Sequence, residues 1–248
     1  MLTRIFLSRL LPMATLLLLA VSSLLAQTAA DPSGHWEGAV QLPNRELKIE
    51  IDLARNSQGV MSGTFGNPAG NMKGFPLATV AVEGRSVRWV LKVGAEVSTF
   101  VGTLSADGKS LSGEASQGSE SAPFSLTRTG EAKIAAAPKS SPISKEMEGT
   151  WNGTLSAGEK QVRLMLKMMN QADGTAVGTI VSQDGSGVEI PITMTQTASH
   201  LTVEVPSVGA SFVGALNATG TELVGNWKEG SATLPLTFRR AVVTEGKK

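Results

Sequence analysis

The sequence predicts an all-β protein: two tandem eight-stranded up-and-down antiparallel β-barrels behind a signal peptide. Three observations carry this. The stretch Gly-x-Trp-x-Gly-x-aliphatic occurs twice, as GHWEGAV from Gly34 and as GTWNGTL from Gly149. The register between the two extends far beyond the motif. Short runs of apolar–polar alternation are separated throughout by turn dipeptides.

The first element is the leader. Arg4 and Arg9 give a positive start, an apolar run covers Leu10 to Ala26, and small residues follow in AQTAA. This is the pattern of a secretory signal peptide, residues 1–30, with cleavage after Ala26 or Ala30. A membrane anchor is the competing reading, but the run is near the lower limit for a span and contains Pro12. The expected location is secreted or periplasmic, with no transmembrane span left after cleavage.

The two copies follow. Trp151 lies 115 positions after Trp36, and the same shift carries Gly59 onto Gly174, Gly63 onto Gly178, Thr64 onto Thr179 and Pro76 onto Pro191. Beyond a three-residue gap the shift is 112, carrying Phe100 onto Phe212, Gly113 onto Gly225, Pro123 onto Pro235 and Arg128 onto Arg240. Matched Gly and Pro mark matched turns and bulges. An internal duplication is expected, with one unit over residues 31–128 and the other over 146–240. Residues 129–145, rich in Ala, Ser, Pro and Lys, read as an exposed linker, and 241–248 as a polar tail.

Within the first copy, Leu47, Ile49, Ile51 and Leu53 alternate with Lys48, Glu50 and Asp52. The second copy repeats this with Val162, Leu164, Leu166 and Met168 inside and Arg163 and Lys167 outside. Eight strands per copy are expected, in the first copy starting near Trp36, Leu47, Val60, Phe75, Val87, Thr99, Leu111 and Ala122. Sequential hairpins make a meander, and closure into a barrel removes its edges. A two-sheet sandwich is the rival arrangement.

Gly34-x-Trp36 and Gly149-x-Trp151 at the first strand, with Arg128 and Arg240 ending the last, resemble the lipocalin and avidin (calycin) architecture. The late stretches LSGEASQGS and LVGNWKEGS look like an avidin-type strand and hairpin. The pair also looks like modules of exported bacterial proteins. The resemblance implies that each Trp closes one barrel end and that each Arg packs across it. It implies no particular ligand: the helix and cysteines of lipocalins have no counterpart here, and a biotin pocket does not match position by position. Trp89 and Trp227 have no Trp in the other copy, which marks them as candidate ligand or partner contacts.

Composition narrows the function. The net charge of +1 and the absence of Tyr argue against a nucleic-acid partner. Without cysteine there are no disulfides, no thiolate metal sites and no Cys nucleophile. Only His35 and His200 are present, at no metal-ligand spacing, and His35 beside Glu37 reads as a solvated pair. No nucleophile elbow or phosphate loop occurs, and Asp107, Asp173 and Asp184 read as turn residues. No catalytic, cofactor or metal residues are assigned, and no cofactor is expected. Met165 and Met169 could form a soft contact surface. The expectation is an exported, non-catalytic binding module whose barrels hold a small apolar ligand or dock an envelope protein. The alternative is a periplasmic interaction protein such as a protease inhibitor or scaffold.

Overall fold

The computed structural model describes residues 31–158, 160–184 and 187–242. The leader expected at 1–30 lies outside the described residues, as does 243–248 of the tail. All strand pairing is antiparallel and almost entirely between chain neighbours. The first half contains β1 (Gly34–Leu42), β2 (Arg45–Arg55), β3 (Met61–Asn67), β4 (Met72–Pro76), β5 (Thr79–Glu83), β6 (Ser86–Val93), β7 (Glu96–Leu104), β8 (Ser110–Gln117) and β9 (Glu120–Gly130). They form one curled sheet in the order β4-β3-β2-β1-β9-β8-β7-β6-β5. The second half contains β10 (Gly149–Ala157), β11 (Lys160–Asn170), β12 (Ala176–Ser182), β13 (Ile190–Thr197), β14 (His200–Val205), β15 (Ala210–Leu216), β16 (Glu222–Glu229) and β17 (Ala232–Arg240), which close into an eight-stranded barrel.

The first half thus departs from the expected closed eight-stranded barrel. Its fourth strand, expected from Phe75, is broken at Leu77–Ala78 into β4 and β5. β4 pairs only with β3 and β5 only with β6. Between them, Leu77 N–H bonds to Gly63 O and Ala78 N–H to Val90 O, each at under 3 Å (2.9 and 2.8 Å). Two bonds to opposite neighbours therefore stand where a ladder would close the sheet. In the second half the unbroken β13 divides its pairing likewise: Ile190–Ile192 face β12 and Thr193–Thr197 face β14.

The first and last strands of each half meet through a Trp–Arg contact. Trp36 pairs in register with Arg128, and Trp151 with Arg240. The guanidinium carbons lie 4.7 and 4.2 Å from the respective ring centroids, the geometry of a cation–π contact worth roughly 0.5–2 kcal/mol. The Trp36 indole N–H donates to Pro32 O and that of Trp151 to Met147 O. Arg128 donates to Asp31 O and Ser33 O; Arg240 donates to Glu146 O and Glu148 O. The segment before each first strand is thereby tied across the mouth. Gly34 and Gly149 have φ of +149° and +111°, and the arginine packs where a side chain would project: a Cβ at Gly34 would lie 3.3 Å from Arg128 Cδ.

Side chains fill both interiors. Phe65, Phe100, Phe124 and Trp89 cluster in the first, and Phe212, Phe238, Met168 and Trp227 in the second. A Cβ at Gly214 would sit 2.4 Å from Phe212 Cζ, so little room remains there. The matched phenylalanines expose an exchange. Phe100 lies between Trp89 on β6 and Ala115 on β8, whereas Phe212 lies between Val203 on β14 and Trp227 on β16. Each core thus places one Trp beside its phenylalanine, on opposite sides.

The stretch read as an exposed linker is only partly so. Ser140 pairs with Ala176, and Ile143 is buried in the second core, as is Met147 just beyond the stretch. Lys139 Nζ lies 2.5 Å from Asp173 Oδ2. That bond, with those from Thr175, holds the Asp173 carboxyl down at about 2. Lys139→Ala is expected to move the Asp173 titration midpoint, followed by carboxyl NMR, upward towards the ordinary aspartate value. The wild-type contact is formed above that ordinary value and fades as pH falls through about 2. For the cores, Trp89→Val should cost about 3 kcal/mol in urea unfolding. The double variant Trp89→Val/Ala115→Trp, which copies the second unit, should recover at least half of that loss.

Candidate functional site

Alternation along β1 turns Trp36 inward and His35 and Glu37 outward. The two-residue turn at Pro43–Asn44 then sets His35 opposite Asp52 and Glu37 opposite Glu50 on β2. The same outer face continues on β3, where Thr64 faces Asp52 and Gly66 faces Glu50. This ledge forms one wall of a cleft of about 630 Å³. Lys133 and Ala135–Pro138 of the connecting segment form a second wall, and Pro191, Pro206 and Ser207 of the second unit a third. The Lys73 N–H bonds to Ser207 O at 3.0 Å and joins the two units at the cleft edge.

Burial here contradicts the solvated-pair reading of His35 and Glu37. His35 is only 4% exposed although it faces outward, and Asp52 is 9% exposed. His35 Nδ1 lies 2.8 Å from Asp52 Oδ1, and Nε2 lies 3.2 Å from Glu37 Oε1. Asp52 Oδ1 also accepts the Lys133 N–H at 2.7 Å, which brings the connecting segment down over the pair. Glu37 Oε1 further accepts the Thr129 hydroxyl at 3.2 Å. Both ring nitrogens of His35 are thus engaged, and the ring connects the Asp52 and Glu37 carboxyl groups.

Several groups that line the cleft lack side-chain partners among the described residues: the Glu50 carboxylate, opposite Glu37, and the ammonium groups of Lys73 and Lys133. Ser207, 7% exposed, carries a buried hydroxyl with no partner among the described residues. The acidic ledge belongs to the first unit alone. One shift of 115 on, His35, Glu37, Glu50 and Asp52 become Thr150, Asn152, Met165 and Lys167. The second unit contributes only the opposing wall.

Trp89 offers no surface contact. It is 0% exposed, stacked on Phe100 at 5.0 Å and edge-on to Phe124 at 5.3 Å, and its indole N–H has no partner among the described residues. Trp227 is also buried, with its N–H donating to Glu229 at 3.3 Å. Trp36, Arg128, Trp151 and Arg240 sit in the clamps and line neither hollow. Met169 is exposed and Met165 half-buried. A second hollow, of about 420 Å³, lies on the outer surface where the β10–β17 ladder stops at Gly153–Phe238. Its arginines are already paired, Arg163 with Asp184 and Arg239 with Glu222. Among the described residues no three His, Cys, Asp or Glu side chains are grouped to hold a metal ion. No helix among them is long and apolar enough to cross a membrane.

Neither a protein-family model nor a curated protein matches the chain. The solved structures that resemble it distantly include two proteins. One is a candidate outer membrane protein from Bacteroides fragilis, 15% identical, with 86% of this chain and 99% of that chain covered and a TM-score of 0.31. The other is a protein with unknown function of the DUF3598 family from Nostoc punctiforme, 13% identical, covering 84% and 96%, with a TM-score of 0.24.

The His35–Asp52 contact makes a specific prediction. His35→Ala and Asp52→Ala should each cost about 1–3 kcal/mol in urea unfolding, because each leaves a buried polar group unpaired. The double variant should cost clearly less than the sum of the two.

Proposed function

We propose that this chain is an exported, non-catalytic binding protein whose ligand occupies the cleft between its two units. One observation carries the reading: a cleft of ligand size at a junction of three chain segments is lined by the side chains of Glu50, Lys73 and Lys133, none of which has an ion-pair partner among the described residues. Concave sites that hold a few uncommitted polar groups are where ligands bind, so unpaired charges around a cleft of ligand size favour an absent partner. The filled interiors support this location over an apolar ligand inside a barrel. In this reading the leader directs the chain to the envelope or beyond, and the tandem calycin-like units arose by duplication, after which one supplied the polar ledge and the other its cover.

Native mass spectrometry on protein purified from its own source tests the proposal. A retained small molecule should be present in the wild type and absent from Ala136→Trp, which places an indole in the cleft from an exposed position. Retention by both proteins, or by neither, would overturn it.

A further inference from the structure

We propose that the first unit takes up an extended segment of a partner protein, added as a strand along the free edge of β5 where its sheet stays open. The second unit shows what such a gap receives. There the ladder between β12 and β13 covers only Gly178–Ile180 and Ile190–Ile192. The connecting segment fills the space beyond it. Ser140 exchanges both main-chain bonds with Ala176 on one lip, at 2.8 and 2.9 Å, and its hydroxyl accepts the Met194 N–H on the other at 2.8 Å. Three residues on, Ile143 enters the core, where the Asn170 side chain accepts its N–H and donates to its carbonyl. One short extended piece thus completes the wall.

The first unit repeats the gap without the filling. Met61 is the counterpart of Ala176 at the shift of 115, and no isolated bridge stands on it among the described residues. Val80 is the counterpart of Met194, because Val80 faces Trp89 and Trp89 faces Phe100, as Met194 faces Val203 and Val203 faces Phe212. β5 ends the sheet order, and its two-residue turn at Gly84–Arg85 closes on Glu83 and Ser86. The closing pair of such a hairpin is hydrogen-bonded, and main-chain groups alternate in direction along the strand. Those of Thr79, Ala81 and Glu83 therefore face β6, and those of Val80 and Val82 face the gap. Burial agrees. Met194 is 4% exposed beneath its cover, whereas Val80 and Val82 are only half-buried, and Val60 beside Met61 is exposed. An open strand edge next to uncovered aliphatic side chains is satisfied by one more strand. The lips also set the class of segment. Gln58 stands where Asp173 holds Lys139, so no cation is called for before the bridging residue. Arg55 stands where Asn170 does; it already donates to Gly59 O and has further N–H groups for a carbonyl of the segment. The segment is therefore extended and uncharged, with a small residue opposite Met61 and a branched aliphatic residue three positions on.

The probe is the acetylated and amidated peptide Ser-Ser-Pro-Ile-Ser, the sequence of Ser140–Ser144. It is titrated into the full mature chain and followed by amide hydrogen exchange. At saturation the Val80 and Val82 amides should exchange about 10-fold or more slowly, while the Met194 amide, covered by a tethered segment, should not change. Methylating the amide nitrogen of the peptide's first serine removes its donor and leaves the protein untouched; binding should weaken about 5-fold or more. Val82→Pro removes one edge donor at a position where proline is tolerated, and should weaken binding similarly. The methylated peptide decides the matter if that variant does not fold. Unchanged exchange at Val80 and Val82, or a methylated peptide that binds as well as its parent, would overturn the inference. So would slow exchange of these amides without peptide. Slowing that grows with protein concentration would give the edge to a second copy, and slowing at every concentration to another part of this chain.

Discussion

The contact on which the rest of the structure depends is the arginine laid over the tryptophan where first and last strands meet. It joins strands about 90 residues apart in sequence, ties down the segment before the first strand, and caps the inward row of side chains. In the first unit it also sets the outer surface. β1 alternates, so the residues on either side of Trp36 must face out, and the clamp that immobilises the indole immobilises His35 and Glu37 with it. One strand thus serves a packed interior and a polar ledge with successive residues.

The two units share a clamp and a strand order but divide their roles. The broken fourth strand of the first unit places Lys73 and Gly74 at the cleft, and the Lys73 N–H reaches across to the second unit. The connecting segment settles on Asp52 through Lys133 and then enters the second core through Ile143 and Met147. The cleft is therefore bounded by backbone held at both ends. A site built this way needs no cavity inside either sheet, which leaves both interiors free to be filled with aromatic and aliphatic side chains.

Much of the architecture was legible in residue order. Alternation from Leu47 to Leu53 and from Val162 to Met168 assigns inside and outside correctly, because a strand buried on one face has a period of two. The break at Leu77–Ala78 was not legible, because it depends on which neighbour each residue bonds. The ledge was half legible. The turn at Pro43–Asn44 sets the pairing of His35 with Asp52 and of Glu37 with Glu50, so a register drawn from the hairpin would have brought the four residues together. Their burial was hidden, because the cover comes from Lys133, Ala135–Pro138, Pro191, Pro206 and Ser207, and alternation within one strand says nothing about what packs on its outer face. Reading each position against its counterpart marked Trp89 and Trp227 as candidate ligand or partner contacts, and their burial was likewise not legible, because it depends on the phenylalanines that neighbouring strands set beside them.

The exchange of those tryptophans has a wider meaning. A Trp and Ala flanking Phe100 occupy much the same space as a Val and Trp flanking Phe212. Each layer of three strands holds one Trp beside a central Phe, and the side on which it stands is free to differ. Bulk in such a sheet can sit on either flank of the central ring. Cores of this kind are therefore better compared by summing neighbours across the sheet than by scoring columns one at a time.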